Sequence, residues 1–125
     1  GNSFVELGEG VQWVEIDLGV VAAIDAVIVW HYHGEARVFH DVIVRLGAEA
    51  GCTQNAVTLF NNDHDNSSGL GAGADKEYVE TFEGRLIPAA GQAARFVRLY
   101  SNGNTTDDMN DYVEVEVWGT PRPAL

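Results

Sequence analysis

The sequence predicts an all-β fold: an antiparallel β-sandwich of the jelly-roll kind with about eight strands. Three observations carry that prediction. Runs of β-branched and aromatic residues recur along the chain, each bounded by Gly, Asn and Asp clusters. One run, QWVEIDLG (12–19), alternates strictly, with Trp13, Glu15 and Asp17 on one face and Val14, Ile16 and Leu18 on the other. No segment sustains a helical period with caps, and short strands joined by turn-rich connections match sandwiches and jelly rolls.

The elements follow in order. SFVEL (3–7) reads as an edge strand, and QWVEIDLG as the first full one. IDAVIVWHYH (24–33) is apolar on both faces through its middle, as expected of a central strand. VFHDVIVRL (38–46), AVTLF (56–60), EYVETF (77–82), ARFVRLY (94–100) and DYVEVEVWG (111–119) complete the set. Trp13 and Trp118 are large enough to fill a core between two small sheets, and Phe96, Val97 and Leu99 are candidate core residues beside them. Arg95 and Arg98 are placed to pair with carboxylates of neighbouring strands. Residues 1–119 form one domain, and TPRPAL (120–125), with two prolines, reads as a linker or tail.

Composition bounds the function. A chain of 125 residues, 46% hydrophobic, suffices for one continuous core. No apolar run reaches the ~20 residues that span a bilayer, and no charged-then-apolar start resembles a signal peptide. Cys52 stands alone and forms no internal disulfide, so packing must supply the stability. The net charge of -12, from 7 Lys+Arg against 19 Asp+Glu, repels phosphate backbones and disfavours nucleic acid as a partner.

QWVEIDLG, ARFVRLYSNG (94–103) and YVEVEVWG (112–119) resemble, in order, the hallmark segments of discoidin domains, also called coagulation factor type C domains. The resemblance runs from residue 12 to residue 119. It implies a galactose-binding-domain-like jelly roll, a fold many of whose members are carbohydrate-binding modules. Family members usually place a further strand, and a turn carrying Asp, Gly and Asn, before the first tryptophan, and that turn commonly helps bind a structural calcium. Here GNSFVELGEGV stands in front of Trp13. The family's other calcium contributor is a glutamate in the closing strand, a place that Glu114 matches.

Function is expected in the loops, which rigid sheets hold for recognition. The longest, FNNDHDNSSGLGAGADKEY (60–78), exceeds the ~12 to 15 residues usual for a plain connection. Its Asp63, Asp65 and Ser67 form a D-x-D-x-S pattern that can wrap a calcium ion, although it lacks the glycine and glutamate of an EF-hand. Sugar recognition needs planar donors and acceptors that read neighbouring hydroxyls. His33, Glu35 and Arg37 of HYHGEAR (31–37), with Asn62 and His64 of the long loop, are the leading candidates. Asn102 and Asn104 of SNGNTTDDMND (101–111) form a second tier. His31 and His40 read as strand residues and stand outside this set. Glu35 and Arg37 also suit a surface ion pair.

The enzyme reading is weak. HYH places His31 and His33 on one strand face, as zinc tolerates, yet no third ligand stands at an informative spacing and no nucleophile is paired with a base. The triplets at Asn66 and Asn104 fit the glycosylation pattern and agree with exposed loops. The sequence thus points to a non-catalytic carbohydrate-binding module for a neutral glycan or polysaccharide, calcium-bearing, spanning no membrane, and part of a larger secreted or cell-surface protein. A protein-binding or adhesion module on the same fold is the alternative.

Overall fold

The structure is a computed structural model and describes residues 5–122. Six strands form it: β1 (Val5–Leu7), β2 (Gln12–His31), β3 (Ile43–Gly47), β4 (Val57–Asn61), β5 (Arg85–Ser101) and β6 (Asn110–Pro121). They join in one antiparallel sheet of order β1-β6-β2-β5-β3-β4. The all-β expectation is met, with a single 3-10 turn at Gly34–Ala36 as the helical content of the described residues.

Eight short runs become six strands because one pair fuses and one run, EYVETF, forms no strand. QWVEIDLG and IDAVIVWHYH run on as β2, through Gly19 at φ 81 and register shifts between Asp17 and Ala22 and between Ile24 and Ala26. Glycine reaches that φ without penalty, so the strand bends there instead of ending. β5 likewise extends backward from ARFVRLY to Arg85. Bending lets the sheet curl over one core, in which Val27, Val29 and Ile87 join Val44, Phe60, Val97 and Leu99.

Other expectations change. EYVETF is not a strand: its backbone runs without ladder partners, while Tyr78 packs against the core and Glu80 is buried. VFHDVIVRL enters the sheet at Ile43, because Asp41 sits at φ 52 and breaks the extended run, leaving Phe39 with one isolated bridge to Asn104. Trp13 and Trp118 are 49% and 58% exposed and lie outside the core. The alternation explains Trp13, since it shares a face with Glu15 and Asp17, and that face is the outer one; its ring carries the Arg98 guanidinium at 3.7 Å. Val97 and Leu99 are core residues, whereas Phe96 lies half-buried on the opposite face under Arg95.

Arg95 pairs with Asp17 at 2.8 Å and Arg98 with Glu15 at 3.1 Å, across the β2/β5 ladder. Thr120 and Pro121 belong to β6, opposite Ala23 and Ala22. The rest of the expected tail, residues 123–125, and the start of SFVEL lie outside the described residues.

Candidate functional site

The sheet order brings three connections to one end of the sandwich. The turn before β3, the long loop after β4 and the loop between β5 and β6 meet there. Val42 N donates to Asn62 Oδ1 at 2.7 Å and Asn62 N to the Val42 carbonyl at 3.1 Å, tying the first two together. His40 N donates to the Gly103 carbonyl and Asn102 N to the His40 carbonyl, tying the first to the third.

The long loop is ordered by its own polar groups. Asn61 N donates to Asp75 Oδ2, Asp75 N to the Asn61 carbonyl and Gly73 N to the Asp63 carbonyl. At Gly73 the strands of the loop touch: a Cβ there would sit 2.3 Å from the Asn61 carbonyl oxygen. Asp63 is the hub. Its fully buried carboxylate accepts from Ser67 N, Ser68 N and the Ser68 hydroxyl. Desolvation pushes its pKa up, but these hydrogen bonds outweigh burial and hold it at about 2.

Between the connections lies a cleft of about 360 Å³. Asn62, His64, Asp65 and Ser67 line it from the long loop, with His40 and Asp41 opposite and Glu77 at the exit of the loop. His40 Nδ1 donates to Glu77 Oε2 at 3.1 Å, and His64 Nε2 donates to the Asp75 carbonyl. Asn62 is 3% exposed, and its Nδ2 finds no partner among the described residues. Because Oδ1 is committed to Val42 N, the orphan atom is the amide donor, and a buried unpaired donor costs ~1–3 kcal/mol.

At the cleft, ligand oxygens of Asp41, Asp63 and Asp65 lie within 4.8 Å of one another. The Ser67 hydroxyl has one proton and stands 2.7 Å from Asp41 Oδ2 and 3.3 Å from Asp63 Oδ1, so it cannot satisfy both at once. Asn102 Nδ2 donates to the same Asp41 oxygen at 2.7 Å.

Of the residues singled out by sequence, Asn62, His64, Asp65 and Ser67 line the cleft, and Asp63 lies beside it. Asn102 stands behind them through Asp41. His33 and Glu35 are exposed at the 3-10 turn and do not line the cleft. Arg37 is buried under Tyr32 and pairs with Asp111 at 3.1 Å and Asp107 at 3.5 Å, so its charge is spent inside the protein. Asn104 is a loop organiser: its Oδ1 accepts from Thr106 N and Asp107 N, and its Nδ2 donates to the Met109 carbonyl. Glu114 is exposed on β6 opposite Trp30 and is no part of the carboxylate group.

His40 and Asp41 are the cleft residues that sequence reasoning missed, and Glu77 fell within the long loop without being singled out. All three sit in runs read as strands. Their one signal was polarity inside otherwise β-branched stretches.

No family model and no curated protein matches the chain. Solved structures do. The CBM32 of AlyQ, in complex with 4,5-unsaturated mannuronic acid, is 16% identical and superposes with a TM-score of 0.70, covering 93% of this chain and 77% of that one. The chain has the fold of a CBM32 module. A pectin-binding carbohydrate-binding module is 13% identical at a TM-score of 0.68, covering 92% of this chain and 70% of that one. The family 89 glycoside hydrolase from Clostridium perfringens, in complex with PUGNAc, is 14% identical at a TM-score of 0.71. That match covers 95% of this chain but 12% of the hydrolase, so the chain spans a small part of that enzyme.

Proposed function

We propose that this chain is a non-catalytic carbohydrate-binding module of a larger secreted or cell-surface protein, and that it holds a neutral glycan in the cleft between the His40–Asp41 turn and the long loop. The single observation that carries this reading is the orphan buried Nδ2 donor of Asn62, a residue lining a cleft whose other polar groups are imidazoles, carboxylates and a hydroxyl. A sugar hydroxyl supplies the missing acceptor, and the surrounding groups read its neighbours. Two things add support: the resemblance of three segments to discoidin domains, and the shared fold with a module in complex with 4,5-unsaturated mannuronic acid and with a pectin-binding module. Neutral sugars are favoured over those acidic ones because no Lys or Arg among the described residues lines the cleft.

Calcium is part of the proposal. Asp41, Asp63, Asp65 and the Ser67 hydroxyl are hard oxygen ligands, and 4.8 Å is about twice a calcium–oxygen distance of ~2.3–2.6 Å, so one ion reaches all three carboxylates. Bound there, it would supply the positive charge that these carboxylates lack and hold the long loop against the turn.

The reading is tested by titrating wild type and Asn62→Asp against the glycans that a broad array selects. The substitution keeps the acceptor for Val42 N and removes the donor. Affinity is expected to fall with the fold intact; equal binding by both proteins, or a blank array, overturns the reading. A protein-binding or adhesion module is the second reading. Phe82, 76% exposed, and the neighbouring exposed Val79 support it, and it predicts a blank array together with loss of partner capture in Phe82→Ala.

A further inference from the structure

Calcium takes six to eight oxygens. Three carboxylates and one hydroxyl supply fewer than that when each gives one oxygen, so part of the shell must come from elsewhere. The four groups are not equivalent. Asp63 is fully buried and turned into the loop, where Ser67 and Ser68 occupy it, whereas Asp41, Asp65 and Ser67 line the cleft. The open side of the ion therefore faces the cleft. Asn62 lines that same cleft, and its buried Nδ2 donor lacks an acceptor among the described residues. The carboxylates need a cation, and the cation and the amide both need oxygens from the cleft.

We propose that calcium on Asp41, Asp63 and Asp65 is a direct ligand of the glycan, with two neighbouring sugar hydroxyls completing its shell and Asn62 Nδ2 donating to one of them. This rests on the glycan reading of the cleft and adds to it the way the sugar is held. A neighbouring pair of hydroxyls suits the site better than a sugar carboxylate. Three carboxylates and one calcium ion still sum to one negative charge, and Glu77 stands at the same cleft.

The test pairs two measurements on the whole chain. Europium(III) replaces calcium, and its luminescence lifetimes in light and heavy water count the waters on the ion, with and without the neutral glycan that binds best on the array. Affinity for that glycan is measured in calcium, in chelator, and for Asp65→Asn, which keeps an acceptor for Ser67 N. Direct coordination predicts the loss of about two ion-bound waters at saturation. It also predicts a roughly 10- to 100-fold weaker affinity in chelator and, reciprocally, tighter calcium binding in the presence of glycan.

Unchanged water on the ion, even with weaker binding in chelator, makes the ion purely structural and overturns the inference while the glycan reading stands. Equal binding with and without the ion does the same. Ion-independent binding confined to glycans with free amino groups also overturns it, by assigning the carboxylates to an ammonium. If no glycan binds under any condition, both readings fall together.

Discussion

His31 Nδ1 lies 2.7 Å from Glu80 Oε1, and both side chains are buried. This pair fastens the irregular segment after the long loop to the end of β2, with Glu80 N donating to the Arg37 carbonyl as a second tie. The His31 ring stacks on Phe39 at 4.4 Å and against Tyr112 at 4.7 Å, so it is fixed on the sides that do not face Glu80. Removing one partner strands the other in the core. Glu80→Ala is expected to lower stability by about 3 kcal/mol, read from urea unfolding. A loss below about 1 kcal/mol would show that the segment is held by other contacts.

The exposed tryptophan makes an opposite prediction. Trp13 gives its ring face to Arg98 but leaves half its surface in water, so Trp13→Ala is expected to cost about 1 kcal/mol. Leu99→Ala, at a fully enclosed site on the adjacent strand, is expected to cost about 3 kcal/mol. Chemical denaturation of both variants checks the order, and a reversal would return Trp13 to the core.

Gly73 is the tightest point of the long loop. A methyl group there meets Asn61 backbone and side chain at 2.3–2.6 Å, so the loop must part from the end of β4. Gly73→Ala is expected to destabilise by about 1–3 kcal/mol. It should also speed hydrogen exchange at Asp75 N and abolish glycan binding together. Retained binding would separate the cleft from the order of this loop.

The cleft divides the histidines. His40→Ala and His64→Ala are expected to weaken glycan binding roughly 10-fold each, the worth of one hydrogen bond. His33→Ala and Glu35→Ala, at the exposed 3-10 turn, should leave affinity unchanged. Calorimetric titration of the four variants decides, and the opposite pattern would move the site to HYHGEAR.

How much was legible follows from what alternation encodes. The opposition of Val14 and Ile16 to Trp13 and Glu15 was readable in the chain, as was the pairing of Arg98 with a carboxylate of the next strand. Which of the two faces turns inward was also written there, in Glu15 and Asp17, and attention to the size of Trp13 obscured it. The D-x-D-x-S pattern disclosed two of the three carboxylates, because those ligands are near neighbours in sequence. Asp41 was hidden inside a run of β-branched residues, since its left-handed backbone cannot be seen from composition.

By itself, the sequence determined most of the strand segments, the alternation of their faces, the acidic loop and the class of fold, because each depends on residues two to six apart along the chain. Only the tertiary structure decided that Asp41 meets Asp63 and Asn102, that Arg37 is spent on Asp111, and that Asn62 keeps a buried donor without a partner among the described residues. Those juxtapositions join residues 22 to 74 positions apart. They depend on strand order, on the bulges that bend β2, and on a register that no local pattern carries.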